Sequence, residues 1–184
     1  MNDNQRIPSW EHDELCHGWW VIPGRLLATE YPGGKTAEKT ARKLAVLREA
    51  GITSFVDLTE AGEPTWGGEP MRPYSGDLYP EARYARFPIP DTGVIDDAGY
   101  DAIIAHIRAE LDAGQVVVAH CWGGKGRTGT VIGAWLIDQD GLGFPEVLDR
   151  MQELRVGTRK RSHPVPDTPE QSAVLRRRAQ RREA

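Results

Sequence analysis

Two residues six positions apart, Cys121 and Arg127, enclose the segment Trp122-Gly123-Gly124-Lys125-Gly126. A thiolate is a strong nucleophile, and a guanidinium can grip two oxygens of a phosphate at once, a geometry that an ammonium does not offer. Five residues suffice for the backbone to curl until the two ends face one another, and Gly123, Gly124 and Gly126 permit the unusual dihedrals that such a curl requires. The run before the cysteine, Val116-Val117-Val118-Ala119, reads as a buried strand. Beyond the arginine, Val131, Ile132, Trp135 and Leu136 recur at helical spacing, so a buried helix starts at the loop itself. A strand, a Gly-rich loop and a helix N-terminus in that order form an anion site, because successive N–H groups point inward and the helix dipole adds positive potential. The same surroundings favour the thiolate of a cysteine placed there. The chemistry these residue types suit is nucleophilic attack on a phosphate ester.

The elements that must hold this loop follow from periodicity and turn residues. Trp19 to Ile22 and Leu26 to Ala28 flank Pro23-Gly24-Arg25 and read as a hairpin, with both tryptophans assigned to the core. Thr36 is a fitting N-cap for a helix through Ala50 that Gly51 stops, and Ile52 to Leu58 has strand character. Residues 59–83, dense in Gly and Pro, form the longest irregular stretch, which is either a plain surface excursion or a carrier of substrate selectivity through Trp66. Tyr84 to Ile89 resumes a strand and runs into Pro90-Asp91-Thr92-Gly93. A helix capped by Asp96 or Asp97 follows, with Ile103, Ile104, Ile107 and Leu111 on its inner face. Two further helices are expected, one opened by Pro145 and one by Thr168-Pro169-Glu170-Gln171. Strands alternating with helices predict an α/β fold with a central, largely parallel sheet of four to five strands flanked by helices.

The chain has 184 residues, enough for one domain with a genuine core. Residues 1–17 are expected to be a loosely held segment and 18–184 a single domain ending in a basic helix. His12, Cys16 and His17 lack a fourth partner and a zinc-type spacing, so no metal site is assigned. The net charge of −4 is uneven: residues 155–184 hold nine Lys/Arg against three Asp/Glu. A solvated basic face of a terminal helix explains this tail, and an anionic partner would also suit it. Aromatic–basic interleaving is missing, so nucleic acid is not an expected partner. No run of 18 apolar residues and no leader-like h-region is seen, so membrane insertion is not expected. Two cysteines make no disulfide framework, and a catalytic thiol fits a reducing cytoplasm. A nucleotide-binding P-loop is excluded, because Lys125 is followed by Gly126 rather than Ser or Thr.

Residues 120–129, HCWGGKGRTG, resemble the H-C-x5-R-[ST] signature of the cysteine-dependent protein tyrosine phosphatases, in the form of their dual-specificity and kinase-associated branch. The resemblance in element order extends from about residue 20 to 175. It implies that Cys121 attacks phosphorus to form a phosphocysteine and that Arg127 holds the phosphoryl oxygens. It further implies that Thr128 assists departure of the thiolate and that His120 orders the loop. The family takes the leaving-group proton from an aspartate about thirty residues upstream, which points to Asp91, itself also a natural turn former. Gln171 resembles the glutamine that positions attacking water. Trp122, Gly123, Gly124, Lys125, Gly126 and Arg127 would bind substrate, with no cofactor. The expected substrate is a phosphorylated protein, phosphotyrosine first and phosphoserine or phosphothreonine second, acted on by a monomer. A lysine at the position of Lys125 also occurs in phosphoinositide and inositol-phosphate phosphatases, a second reading weakened by Trp122 standing where they have a basic residue. A sulfurtransferase and a non-catalytic phosphate-binding module are lesser readings, since Cys121, Arg127 and Asp91 are all present.

Overall fold

The computed structural model describes residues 9–183. Five strands, β1 (Gly18–Ile22), β2 (Leu26–Thr29), β3 (Ser54–Asp57), β4 (Arg83–Arg86) and β5 (Val117–His120), form one sheet in the order β1-β2-β5-β3-β4. Only the β1–β2 hairpin is antiparallel, and β2, β5, β3 and β4 run parallel. The α/β fold with a largely parallel sheet is therefore the one expected.

Alternation along the strands sorts the core into two layers. Leu27, Phe55 and Val118 point to one face and pack with Leu44 and Leu47 of α1 (Ala37–Glu49). Leu26, Ala28, Val56, Val117 and Ala119 point to the other, which is covered by α2 (Asp97–Asp112), α3 (Gly126–Asp140), α4 (Phe144–Leu154) and α5 (Pro169–Glu183). Thr36 caps α1 by accepting from Lys39 N, and Asp96 caps α2 by accepting from Gly99 N. These cap oxygens take up N–H groups that have no partner within their helix. Helix α3 lies at the centre of its layer, buried from Gly126 to Ile137, and Leu175 of α5 rests on it at Gly133.

Parallel register fixes the position of the site. Thr29, His120, Asp57 and Arg86 are partners across four adjacent strands, each at the carboxyl end of its strand. Loops leaving that edge of an open α/β sheet are where ligands bind.

Three expectations are corrected. Residues of the N-terminal segment are not loosely held: Trp10, Cys16 and His17 are buried, and the Trp10 indole donates to Cys16 O at 2.6 Å. Aromatic packing of Trp10 against Trp20 outweighs the polar composition of the segment; residues 1–8 lie outside the described ones. The strand expected at 84–89 ends at Arg86, because beyond it only single bonds, Phe87 N to Asp57 O and Ile89 N to Leu58 O, join the sheet. The basic face of α5 is not simply solvated. Arg177 and Arg181 pair with Asp97, and Arg178 bridges Asp138 and Asp101 at 2.6 and 2.7 Å. Three of the nine cations of residues 155–184 are thus paired with acidic residues of α2 and α3.

Leu175 is fully buried between α3 and α4. Leu175→Ala is expected to destabilise the domain by about 3 kcal/mol, read by chemical denaturation, with the far-UV spectrum retained.

Candidate active site

β5 ends at His120, Cys121 is the next residue, and α3 begins at Gly126. No side chain caps α3, so its first N–H groups face the loop. Cys121 lies at the floor with 3% of its surface exposed. Gly124 has φ +71°, and a Cβ there would stand 2.7–2.8 Å from the backbone of Thr29 and Glu30. Only glycine fits. The loop's carbonyls are held from outside: Tyr31 N donates to Trp122 O at 3.0 Å and Lys160 Nζ to Gly123 O at 3.0 Å.

The Arg127 guanidinium is 2% exposed and held on three sides. Nη1 and Nη2 each donate to a Glu63 carboxylate oxygen at 2.6 Å, and Nη1 also donates to Ile89 O at 3.0 Å. Asp91 Oδ1 forms an ion pair with Nη2 at 2.9 Å. Burial disfavours the cation, but Glu63, Cys121 and Asp91 outweigh it and hold Arg127 firmly protonated. Nε has no protein partner among the described residues, so an anion can take the Nε–Nη2 edge and displace only Asp91.

Glu63 reaches this position from a small hairpin within the irregular stretch. Pro64 and Pro70 form a bridge, Thr65 N donates to Glu69 O, and Met71 N donates to Glu63 O. Trp66 stands at its tip, 92% exposed. Sequence reasoning missed Glu63, since a single glutamate among Gly and Pro has no periodicity to mark it as buried.

Beneath the loop, His120 and Asp57 are register partners with no exposed surface. Asp57 accepts from Thr59 N and Oγ1 at 2.8 and 2.7 Å, from Tyr84 OH at 2.7 Å and from Arg86 Nη2 at 3.1 Å. His120 Nδ1 lies 3.3 Å from Cys121 O, and Nε2 pairs with the buried Tyr74 hydroxyl. Burial lowers the His120 pKa and outweighs the opposing pull of Asp57, so the ring is neutral. Asp57, at the end of β3, is the hub of this layer. Strand register brings it there, and a single strand does not reveal register.

The remaining candidates divide. Thr128 is buried in the first turn of α3, its hydroxyl without a partner among the described residues. Gln171 touches Gly126, but Oε1 accepts from Asp167 N and Thr168 N, and Nε2 donates to Gly93 O at 3.3 Å. Its amide ties the start of α5 to the turn that carries Asp91; as folded, both ends are engaged with backbone rather than with water. Lys125 turns away from the loop's interior: Nζ lies 3.1 Å from Asp167 Oδ1 and 3.2 Å from His163 Nδ1. Trp122 leans on Tyr31.

The segment after α4 straps the loop through Glu30. This carboxylate pairs with Lys43 at 3.0 Å, Arg159 at 2.8 Å and Lys160 at 2.9 Å. Burial opposes its ionisation, yet Lys43 and Lys160 together pull it from the ordinary 4.5 to about 2.

Residues 17–182 match the family model described as Swiss Army Knife protein, DSP-PTPase phosphatase domain. The chain belongs to this PTP-SAK family. Solved structures agree in fold. Tk-PTP in its active form is 29% identical, with 89% of this chain and 97% of that one covered and a TM-score of 0.68. Kinase associated phosphatase, with its catalytic-site cysteine substituted by serine, is 22% identical over 92% and 97% of the two chains, TM-score 0.70. PTPMT1 in complex with PI(5)P is 17% identical over 90% and 96%, TM-score 0.65. The protein is a phosphatase-family domain of the dual-specificity-like branch, as the H-C-x5-R-[ST] signature implied.

Two consequences are measurable. Removing Glu63 leaves a buried guanidinium short of its main counter-charge, so Glu63→Ala is expected to cost about 3 kcal/mol of stability, seen as a lowered denaturation midpoint. Glu30 has a folded pKa below its unfolded one; its contribution is complete above pH 4.5 and is lost as pH falls towards 2. The stability gap between wild type and Glu30→Gln should therefore be widest above pH 5 and close by about 3 kcal/mol on acidification to pH 2, measured by urea titration at each pH.

Proposed function

We propose that the protein hydrolyses phosphate monoesters through a phosphocysteine, with phosphotyrosine in proteins as its main substrate and phosphoserine or phosphothreonine as further ones. The observation that carries this reading is the meeting of Arg127 and Asp91, from separate loops, at the uncapped helix end beside Cys121. A passive anion site has no use for a carboxylate at its mouth, because it repels the ligand; a hydrolase needs one to move a proton.

The geometry supports the following steps in this reading. The phosphoryl group enters the loop, its oxygens taking the inward N–H groups and the Nε–Nη2 edge of Arg127. Asp91 is displaced from the guanidinium towards the ester oxygen and, freed from the cation, takes up a proton from solvent. The Cys121 thiolate gives an electron pair to phosphorus as the P–O bond breaks, and protonated Asp91 delivers its proton to the departing oxygen. Asp91, now a carboxylate, takes a proton from water, the water oxygen attacks phosphorus, and the P–S pair returns to Cys121. The Thr128 hydroxyl, which has no partner among the described residues, would donate to the departing thiolate. Charge on the transferring group is met by preorganised donors, with Glu63 fixing the guanidinium beforehand. The neutral, hydrogen-bonded His120 orders the loop's first peptide.

A phosphoinositide or soluble inositol phosphate is the competing substrate, and PTPMT1 holds PI(5)P on this fold. The engagement of Lys125 with Asp167 speaks against it, since the lysine that would meet a second phosphate is already paired.

Purified protein should cleave p-nitrophenyl phosphate in the presence of EDTA, and Cys121→Ser should abolish turnover. Asp91→Asn should slow phenyl phosphate by about 100-fold and p-nitrophenyl phosphate far less, because the better leaving group needs no proton. Equal slowing of both esters would remove Asp91 from the acid role, and an active Cys121→Ser protein would end the mechanism.

A further inference from the structure

Beside the catalytic loop a cleft of about 320 Å³ runs between the 63–71 hairpin and residues 30–39. Trp122 and Gly123 of the loop line one part of it, so the cleft adjoins the phosphate loop. Its walls are apolar at Tyr31, Trp122, Pro70 and Met71. Its charged lining comprises Lys35, Lys39, Lys43, Arg72 and Lys160 against Glu30 and Glu69, five cations to two carboxylates, on a chain whose net charge is −4. Lys43 and Lys160 are committed to Glu30, and Arg72 pairs with Asp77 at 3.2 Å. Lys35 and Lys39 are exposed and have no ion pair among the described residues. The stem of Lys39 lies against Gly34, which carries its ammonium along the cleft's edge. Two lysines without an ion pair among the described residues thus stand at a groove that adjoins the phosphate loop.

Resting on the phosphoprotein reading above, we propose that this cleft is a substrate subsite that takes an Asp or Glu side chain flanking the phosphorylated residue, with Lys35 and Lys39 as its specificity-determining cations. The apolar walls suit a peptide segment, whose aliphatic and backbone atoms need cover, whereas an inositol ring bearing several phosphates would need cations along the walls as well. A lysine ammonium is a compact charge and matches a single carboxylate. Glu69 at the margin disfavours a densely anionic ligand and tolerates one acidic side chain offset by two lysines.

The test uses the full chain and a set of phosphotyrosine peptides differing only in whether the flanking residues are Glu, Ala or Lys. Wild type should favour the Glu-flanked peptide over the Ala-flanked one by about 5- to 10-fold in kcat/KM, as two partly exposed ion pairs allow, and 0.5 M salt should narrow the preference. Lys35→Met/Lys39→Met, which keeps both stems and removes both charges, should reduce that ratio to below about twofold. Equal kcat/KM on the three wild-type peptides, or an unchanged ratio in the double variant, overturns the subsite while leaving p-nitrophenyl phosphate hydrolysis, and with it the phosphatase reading, intact. Soluble inositol hexakisphosphate serves as a second probe. If the double variant lost turnover of that compound while its peptide ratio stayed the same, the cleft would be a second-phosphate site and the proposal would fail. Absence of p-nitrophenyl phosphate hydrolysis in wild type would instead overturn the parent reading.

Discussion

A guanidinium with almost no contact with solvent has to be matched by negative charge, and the surroundings of the catalytic loop are built around that requirement. Arg127 is needed at the end of a five-residue loop, and α3 buries it. Its charge is tolerable only because Glu63 reaches in with both oxygens, Ile89 turns a carbonyl towards it, and Asp91 adds a second carboxylate. Each partner lies on the same side of the sheet edge, beyond β3 or β4. The 63–71 hairpin and the extended segment after β4 are therefore parts of the arginine's binding site before they are anything else. Glu63 and Ile89 are buried beside the guanidinium, whereas Asp91 alone among these groups is more than half exposed.

A second layer, at the ends of four strands, keeps the loop in place from below. The row Thr29, His120, Asp57, Arg86 exists only because four parallel strands share one register. Within it Asp57 carries the charge, and hydroxyls and Arg86 satisfy it, so His120 need not be protonated. The loop's first peptide rests on an uncharged imidazole, which leaves the positive potential to the helix end and Arg127.

How much of this could be read from sequence depends on how local each feature is. The loop, its strand and its helix are contiguous, and the residue types themselves state the chemistry, so Cys121, Arg127 and their setting were legible. The caps at Thr36 and Asp96 are equally local. Asp91 followed from the family resemblance and its position after a strand. Glu63 and the hub role of Asp57 were not legible, because Glu63 meets Arg127, 64 positions away, and Asp57 meets Tyr84 and Arg86, 27 and 29 positions away, encounters that only tertiary folding supplies. Lys125 and Gln171 had the right positions and a different engagement: Asp167, His163 and Gly93 compete for them, and those partners come from segments whose turns carry no periodic signal. The loosely held N-terminus was misjudged for a related reason. Its polar average concealed one tryptophan able to pin it.

Gly124 is held in a left-handed conformation against the β2 backbone, whereas Trp122 and Lys125 turn their side chains outward. The loop's curvature is thus dictated by a neighbouring strand and not by the side chains it displays. This separates two properties that evolution can alter independently. Gly124, which sets the curvature, admits no side chain, while the two positions that face the surroundings can be exchanged without redrawing it. A single ancestral loop of this design could be retuned towards new phosphate esters in one or two substitutions, with the reaction centre inherited unchanged.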